Sequence, residues 1–494
     1  MILMYKEAIL DAVSMHELPS KWHSDVLEEV KKATKKKKVS KYRQDLRKLP
    51  FITIDGEDAK DFDDAIYCKQ NSNGFKLFVA IADVSFYVET GSKTDKEAQK
   101  RGTSIYFPAK VIPMLPEDLS NGICSLKPNE ERCAMICEMS LSLDGKRGKN
   151  KFYSGLIKSK ARLTYNQVEE HLQGSAKIEL PQAHDSIKDL NELTNLRLIH
   201  RNKRKALEIN PKEINLKLNR NKEVKNIQVK KSLFAHKLVE ESMLLANESA
   251  AEFMQDRLNL GVYRIHEDPD PSKLELLKKH FHVPAQISKK LSPLEVINSC
   301  LKQANKKNDD VGKILVLQTL ARAEYSTNNL GHFGLQLQRY AHFTSPIRRY
   351  PDLLVHRLIN SLLAHKKPNR TKNELQDECE NASMLERRAE KASRQVEQVL
   401  VCEYLKRKIG STMNGVITGV TDFGLFINLE SYFISGLLHV SDLPDDHYHL
   451  LNNQSVLKGR KRGGVFKLGQ KIKVKIAAIF PLERKINLVI PNGK

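Results

Sequence analysis

Apolar and polar positions divide the chain into stretches of different rhythm. Near the start, "KEAILDAVSMHEL" places Ile9, Leu10, Val13 and Met15 on a partial helical stripe. It passes into the charge run "KKATKKKK", Lys31 to Lys38, which reads as a solvated linker able to meet phosphates. Strand character follows: "FITID" enters an acidic loop, "AIYCK" leaves it, and "FKLFVAIADVSFYV" comes after a turn at "NSNG". Asn73 and Gly74 in that turn favour a hairpin. Pro108, Pro113 and Pro116 make 105–120 extended rather than helical, and "CAMICEMSLSLD" returns to strand. Residues 185–210 are polar and helix-permissive, and "EINLKLN" with "VKNIQV" forms a second strand pair.

A long helix is predicted over 231–258, where Val239, Met243, Ala246, Ala250 and Phe253 recur at spacings of four and three. Further helices fit 291–304, 311–327, 352–364 and the stretch "NASMLERRAEKASRQVEQVLVCEYLKRK". From "GSTMNGVITGVTDFGLFINL" onward, short strands alternate with Gly, Asn and charged turns, the pattern of a small all-β barrel. The expected division is a helical and basic segment 1–50, an α+β module 51–405 and an all-β domain 406–494.

Composition adds a partner. The 494 residues are 40% hydrophobic and 29% charged, as in a globular protein. Lys and Arg number 82 against 60 Asp and Glu, a formal charge of +22. That excess calls for a polyanion or an anionic membrane surface. No apolar run approaches the ~20 residues of a membrane span, and Lys6 and Glu7 interrupt "MILMYKEAIL", so no signal peptide is expected. The seven cysteines form no CxxC pair, and no partner pair turns Cys133 and Cys137 into a zinc pattern. Reduced thiols in a cytoplasmic protein are the simplest reading.

Against this basic background "TIDGEDAKDFDDAIY", Thr53 to Tyr67, concentrates five Asp and one Glu. Two carboxylates about 4 Å apart repel by roughly 4 kcal/mol at an effective dielectric near 20. Asp55 ends an apolar strand, and Asp61, Asp63 and Asp64 follow a polar loop. Hard divalent cations take such oxygen ligands, and phosphodiester hydrolysis is a natural use. An exposed acidic turn is the plain alternative, but it would not need to sit between apolar strands. The calcium-loop pattern does not fit.

The same stretch resembles the signature of the ribonuclease II/ribonuclease R family, whose catalytic module is called RNB. "RGTSIYFPAKVIPMLPEDLSNGICSL", "HKLVEESMLLAN" and "HFTSPIRRYPDLLVHR" are similar to further family segments, in the family's order. The likeness covers roughly 40–494, is nearer in wording to the ribonuclease R branch, and ends in a segment that resembles an S1 domain, an OB-type barrel. The resemblance implies an α+β RNB domain followed by an S1 domain. It implies a hydrolytic, processive 3′→5′ exoribonuclease that threads single-stranded RNA and releases nucleoside 5′-monophosphates with Mg²⁺, two ions when substrate is bound.

By motif position the resemblance gives Asp55, Asp61 and Asp64 to magnesium and Asp63 to the attacking water or scissile phosphate. It gives Arg348 to the scissile phosphate, with Arg349 a weaker RNA contact, and Tyr106 to stacking on the terminal base. Ser345 and Pro346 read as a helix start that would favour anions. In "VEES", Phe234, Leu238, Glu241 and Leu245 share one helical row, so Glu241 rather than Glu240 is expected at the sugar hydroxyls. Glu390 reads either as a channel residue or as helix-surface charge. Phe423, Phe426 and His439 match RNA-facing S1 positions.

Full-length relatives carry two cold-shock domains before this module. Only residues 1–50 precede it here, so those domains are expected to be missing and RNA capture to rest on the S1 domain and basic channel walls. A monomer acting on single-stranded RNA, with no membrane partner, is the expected form. The alternatives are a non-catalytic RNA-binding or regulatory protein on the same scaffold, and a DNA nuclease.

Overall fold

The computed structural model describes residues 2–36, 42–209, 214–230, 232–284, 286, 290–307, 309–432, 434–444, 447–451, 456–460 and 464–491. Its strands before the barrel are β1 (Gln44–Asp45), β2 (Ile52–Asp55), β3 (Asp64–Asn71), β4 (Gly74–Ala82), β5 (Ile105–Phe107), β6 (Lys110–Ile112), β7 (Glu131–Leu141), β8 (Arg147–Lys158), β9 (Ala161–Thr164), β10 (Ile214–Leu218), β11 (Val224–Val229), β12 (Tyr263–Ile265) and β13 (Glu324–Ser326). Its helices are α1 (Ile2–Met15), α2 (Ser24–Ala33), α3 (Val84–Tyr87), α4 (Lys93–Arg101), α5 (Tyr165–Leu172), α6 (Pro181–Lys203), α7 (Phe234–Leu258), α8 (Pro271–His280), α9 (Pro293–Lys307), α10 (Asp310–Thr319), α11 (Tyr350–Leu363) and α12 (Lys372–Leu405).

Seven strands form one mixed sheet in the order β1-β8-β7-β4-β3-β2-β9, with β1–β8 and β2–β9 parallel. The near-continuous apolar runs of β4 and β7 lie at its centre, buried on both faces. Helix α6 docks on β3, where the Cys68 N–H donates to Ser186 Oγ at 3.0 Å. Helix α7 brings Phe253 against Phe152 of β8, ring centroids 4.8 Å apart.

The last strands, β14 (Thr412–Val420), β15 (Gly424–Leu429), β16 (Ile434–His439), β17 (Tyr448–Leu451), β18 (Val456–Gly459), β19 (Val465–Lys467), β20 (Lys471–Phe480) and β21 (Lys485–Val489), include the expected barrel. It closes as β14-β15-β16-β21-β20, and β17 to β19 make a separate small sheet. Helix α12 links the two parts. Its Cys379 and Ala382 join the main core, Ala392 and Val396 pack with α1, and Val401, Cys402 and Leu405 enter the barrel core.

Three expectations shift. The helix predicted over 311–327 stops at Thr319, because Glu324–Ser326 pairs with Tyr263–Ile265 instead. "ADVSFYV" leaves the strand at Ala82 and turns into α3. Of the lysine run, Lys31 and Lys32 end helix α2, whose Val26, Val30 and Ala33 are buried, and Lys36 pairs with Glu89; Lys37 and Lys38 lie outside the described residues. Among the described residues no helix is long and apolar enough to cross a membrane.

The hairpin after "NSNG" brings a test. Gly74 opens β4 at φ +130°, and a Cβ there would fall 2.0 Å from the Leu141 carbonyl oxygen. Gly74→Ala therefore combines backbone strain with a backbone clash and should cost roughly 2–4 kcal/mol. Urea unfolding that shows no loss would contradict this account of the hairpin.

Candidate active site

Sheet register assembles the acidic cluster. Asp55 ends β2, Asp64 begins the adjacent β3, and the intervening loop carries Asp61 and Asp63. Buried Ser125 fixes that loop: the Phe62 N–H donates to its Oγ (3.0 Å), and its hydroxyl donates to the Lys60 carbonyl (2.7 Å). Arg162 of β9 donates to the carbonyls of Gly56 and Glu57 (both 2.6 Å). Glu57 and Asp58 stay exposed on the turn, outside the cluster.

A second segment meets the loop. In "TSPIRRY" the expected helix start at Ser345–Pro346 is a tight turn, and the helix begins at Tyr350. The turn's Ile347 N–H is used within the protein: it donates to Asp63 Oδ1 at 2.9 Å. Asp352, fully buried, accepts from the Ser345 N–H (2.8 Å) and takes both prongs of Arg349 (2.9 and 2.8 Å). Arg349 was expected to touch RNA; this fork commits its donors to the framework instead. Arg348 keeps its side chain 43% exposed, with Nε 3.7 Å from Asp63 Oδ2 and a guanidinium N–H donating to Ser345 Oγ (3.0 Å). That distance makes an ion pair without a hydrogen bond, so Asp63 Oδ2 is buried and unpartnered, as is Asp55 Oδ2.

Asp55, Asp61, Asp63, Asp64, Arg348 and Arg349 share a cavity of about 270 Å³. Burial pushes the proton affinity of Asp55 up, and the charges of Asp64 and Asp61 push it further. Burial likewise raises Asp64 and Asp63, while the Arg348 charge pulls both down. Tyr106 projects from the β5–β6 hairpin, 45% exposed, and donates its hydroxyl to Asp61 Oδ2 at 3.1 Å.

Other walls of the cavity were not read from the sequence. Tyr165 reaches it because β2 and β9 pair in parallel with Asp55 opposite Thr164, the capping-box residue before it. The "T-Y-N-Q" box marks a helix start, but nothing local places it beside Asp55. His342 and Asn247 also line the cavity. So does Glu240, which pairs with Lys237 (3.0 Å) and Arg201. The expected residue, Glu241, lies behind the wall: it is 1% exposed and pairs with Arg201 of α6 at 3.0 Å. Its apolar row points to the core, and a cation from the core side is the partner it needed. Glu390 is exposed on α12. On the barrel, Phe423 and Phe426 are exposed and meet edge to face at 6.0 Å, and His439 sits opposite Gly424 in register.

Comparison with known proteins places the fold in a family. The RNB domain family matches residues 43–365, and the S1 RNA binding domain family matches 406–490. Ribonuclease R of Vibrio cholerae is 38% identical over 96% of this chain, and that of Escherichia coli 39% over 98%. The chain spans 60% and 62% of the length of those two relatives. The structure of Mycoplasma genitalium RNase R in complex with ribose-methylated single-stranded RNA superimposes with a TM-score of 0.93 at 31% identity, covering 99% of this chain and 78% of that one.

The raised carboxyls set a pH dependence. A carboxyl with greater proton affinity in the folded state binds more protons there, so without cations stability falls as pH rises from the ordinary carboxylate range upward through neutrality. Asp55→Asn removes that penalty. In EDTA it should be more stable than the native protein by roughly 1–3 kcal/mol at pH 8, with a smaller gap at pH 5. Denaturant titrations with no gap at either pH would contradict the proposed desolvation.

Proposed function

This chain belongs to the RNB family, and from that premise we propose that it is a Mg²⁺-dependent hydrolytic exoribonuclease. It shortens single-stranded RNA processively from the 3′ end to nucleoside 5′-monophosphates. The observation that carries the reading is one cavity lined by four aspartates and Arg348, with Tyr106 bonded to Asp61.

The donor set fits a hard divalent cation. Asp55 and Asp64 are desolvated, repel one another and include a buried unpartnered oxygen. Magnesium takes one or two carboxylates and fills its shell with water and substrate phosphate oxygens. Asp55, Asp61 and Asp64 would hold it, and bound there it supplies positive charge for the phosphate and a more acidic water.

The chain's own residues do the rest. Arg348 offers its guanidinium to the non-bridging oxygens of the scissile phosphate. Asp63 is seated by the Ile347 N–H and turns its unpartnered oxygen to the attacking water. Tyr106 stacks on the terminal base, and Glu240, in place of Glu241, accepts from the terminal sugar hydroxyls, of which the 2′-OH distinguishes RNA from DNA. Phe423, Phe426 and His439 hold RNA upstream on the barrel. Seven cysteines, all buried and none in a disulfide, support a reducing, cytoplasmic setting.

The test uses 5′-labelled single-stranded RNA and matched DNA, with Mg²⁺ or EDTA. The native protein should shorten RNA alone, in Mg²⁺ alone. Asp63→Asn should be slower by about 10²–10⁴-fold, in the range of a lost positioned acid–base group. Arg348→Lys, which keeps the charge and loses the fork, should lose about 10–100-fold. Native protein that binds RNA and leaves it full length would overturn the reading.

A further inference from the structure

The hairpin that carries Tyr106 is gripped by a part of the chain that lies outside both matched domains. Helix α1 places Tyr5, Ala8, Ile9 and Ala12 in one buried cluster with Ile105, Phe107 and Ile112 of β5 and β6. The cluster is completed by Ala392 and Val396 of α12. At the hairpin tip the Tyr5 hydroxyl donates to the Pro108 carbonyl at 2.7 Å. The next residue, Ala109, sits at φ +57°, a left-handed conformation that a non-glycine residue holds only when its surroundings enforce it. Just past the second strand of the hairpin, Arg101 donates to the Pro113 carbonyl (3.1 Å); it also donates to the Lys21 carbonyl (2.7 Å), and its guanidinium lies 3.5 Å from the centre of the Trp22 ring.

The same helix is tied to α12. His16 Nε2 donates to Gln395 Oε1 (2.9 Å), and the Gln395 amide donates to Asp11 (2.7 Å). Ser393, two residues earlier on α12, donates to the Tyr106 carbonyl at 3.0 Å. The hairpin that carries Tyr106 is thus fixed from behind by α1 and α12, while the Tyr106 hydroxyl meets Asp61 in front.

We propose that α1 is part of the substrate site: through the Tyr5–Pro108 bond it braces the strained hairpin and holds Tyr106 at the angle from which it receives the terminal base. Tyr5 is a positioning residue, since it acts through Tyr106. The inference rests on the reading of Tyr106 as the base platform.

The experiment is a double-mutant cycle on Tyr5→Phe and Tyr106→Ala, with KM and kcat measured on a labelled RNA hexanucleotide in Mg²⁺. A short substrate makes the terminal contacts dominate. Tyr106→Ala should raise KM about 10-fold, within the span of a lost base stack. Tyr5→Phe keeps the ring in its cluster and loses one hydroxyl; it should raise KM about 3–10-fold, with kcat and the unfolding midpoint little changed. In the Tyr106→Ala background Tyr5→Phe should add nothing, because both act on one contact. Hydrogen exchange should quicken in 105–112 of Tyr5→Phe and stay unchanged in the central strands. An effective Tyr106→Ala beside a silent Tyr5→Phe, or KM effects that multiply in the double variant, would overturn the brace alone. A silent Tyr106→Ala would remove the platform reading and the brace with it.

Discussion

Carboxylates withdrawn from water beside one another are the constraint on which this molecule turns. Asp55, Asp63 and Asp64 stand at the facing ends of two neighbouring strands and their loop. Each loses hydration, and burial raises the proton affinity of all three. A chain folds around such a cluster only if the rest of its core overcomes that cost. Here the apolar centre of a seven-stranded sheet, with α7 packed across it, supplies the excess.

The surrounding cations divide their tasks by what balances them. Arg349 is neutralised by Asp352 and so serves as a fixed post for the 345–349 turn. Arg201 is occupied by Glu240 and Glu241, which sets one wall of the cavity. Arg162 holds the backbone of the acidic turn. Arg348 is left part-exposed, close enough to Asp63 to stabilise its charge and too far to bond it. The cavity is therefore electrically incomplete, with desolvated acid on one side and a guanidinium at its edge, an arrangement suited to a ligand that brings both a phosphate and its counter-ions.

Much of this was legible because it is local. The strand ending at Asp55, the one beginning near Asp64, the hairpin at Gly74 and the helix through Val239 and Met243 all follow from period and turn chemistry. The barrel was legible for the same reason, and the longer motifs pointed to the family. What escaped depends on pairings remote in sequence. Tyr165 enters the cavity through a parallel strand contact that no nearby residue announces. Periodicity put Glu241 in an apolar row and was right about the row, but an apolar row faces the core, and its partner waited there on α6. The helix continuing past Thr319 failed because β12, far upstream, claimed Glu324–Ser326. The Ser345–Pro346 turn imitates a helix start and spends its N–H on Asp63.

Helix α12 spans the α+β module, the α1 cluster and the barrel in 34 uninterrupted residues, roughly 50 Å of continuous helix. Its pitch acts as a gear between the two ends. One residue inserted midway would turn the barrel about the helix axis by about 100° and carry Phe423 and Phe426 to another azimuth relative to the cavity mouth. Seven residues, close to two full turns, would nearly restore the azimuth but move the barrel some 10 Å further away. The spine can thus absorb many substitutions on its exposed side, yet its length is quantised: the distance and angle from barrel to aspartates are set by counting residues along a single helix.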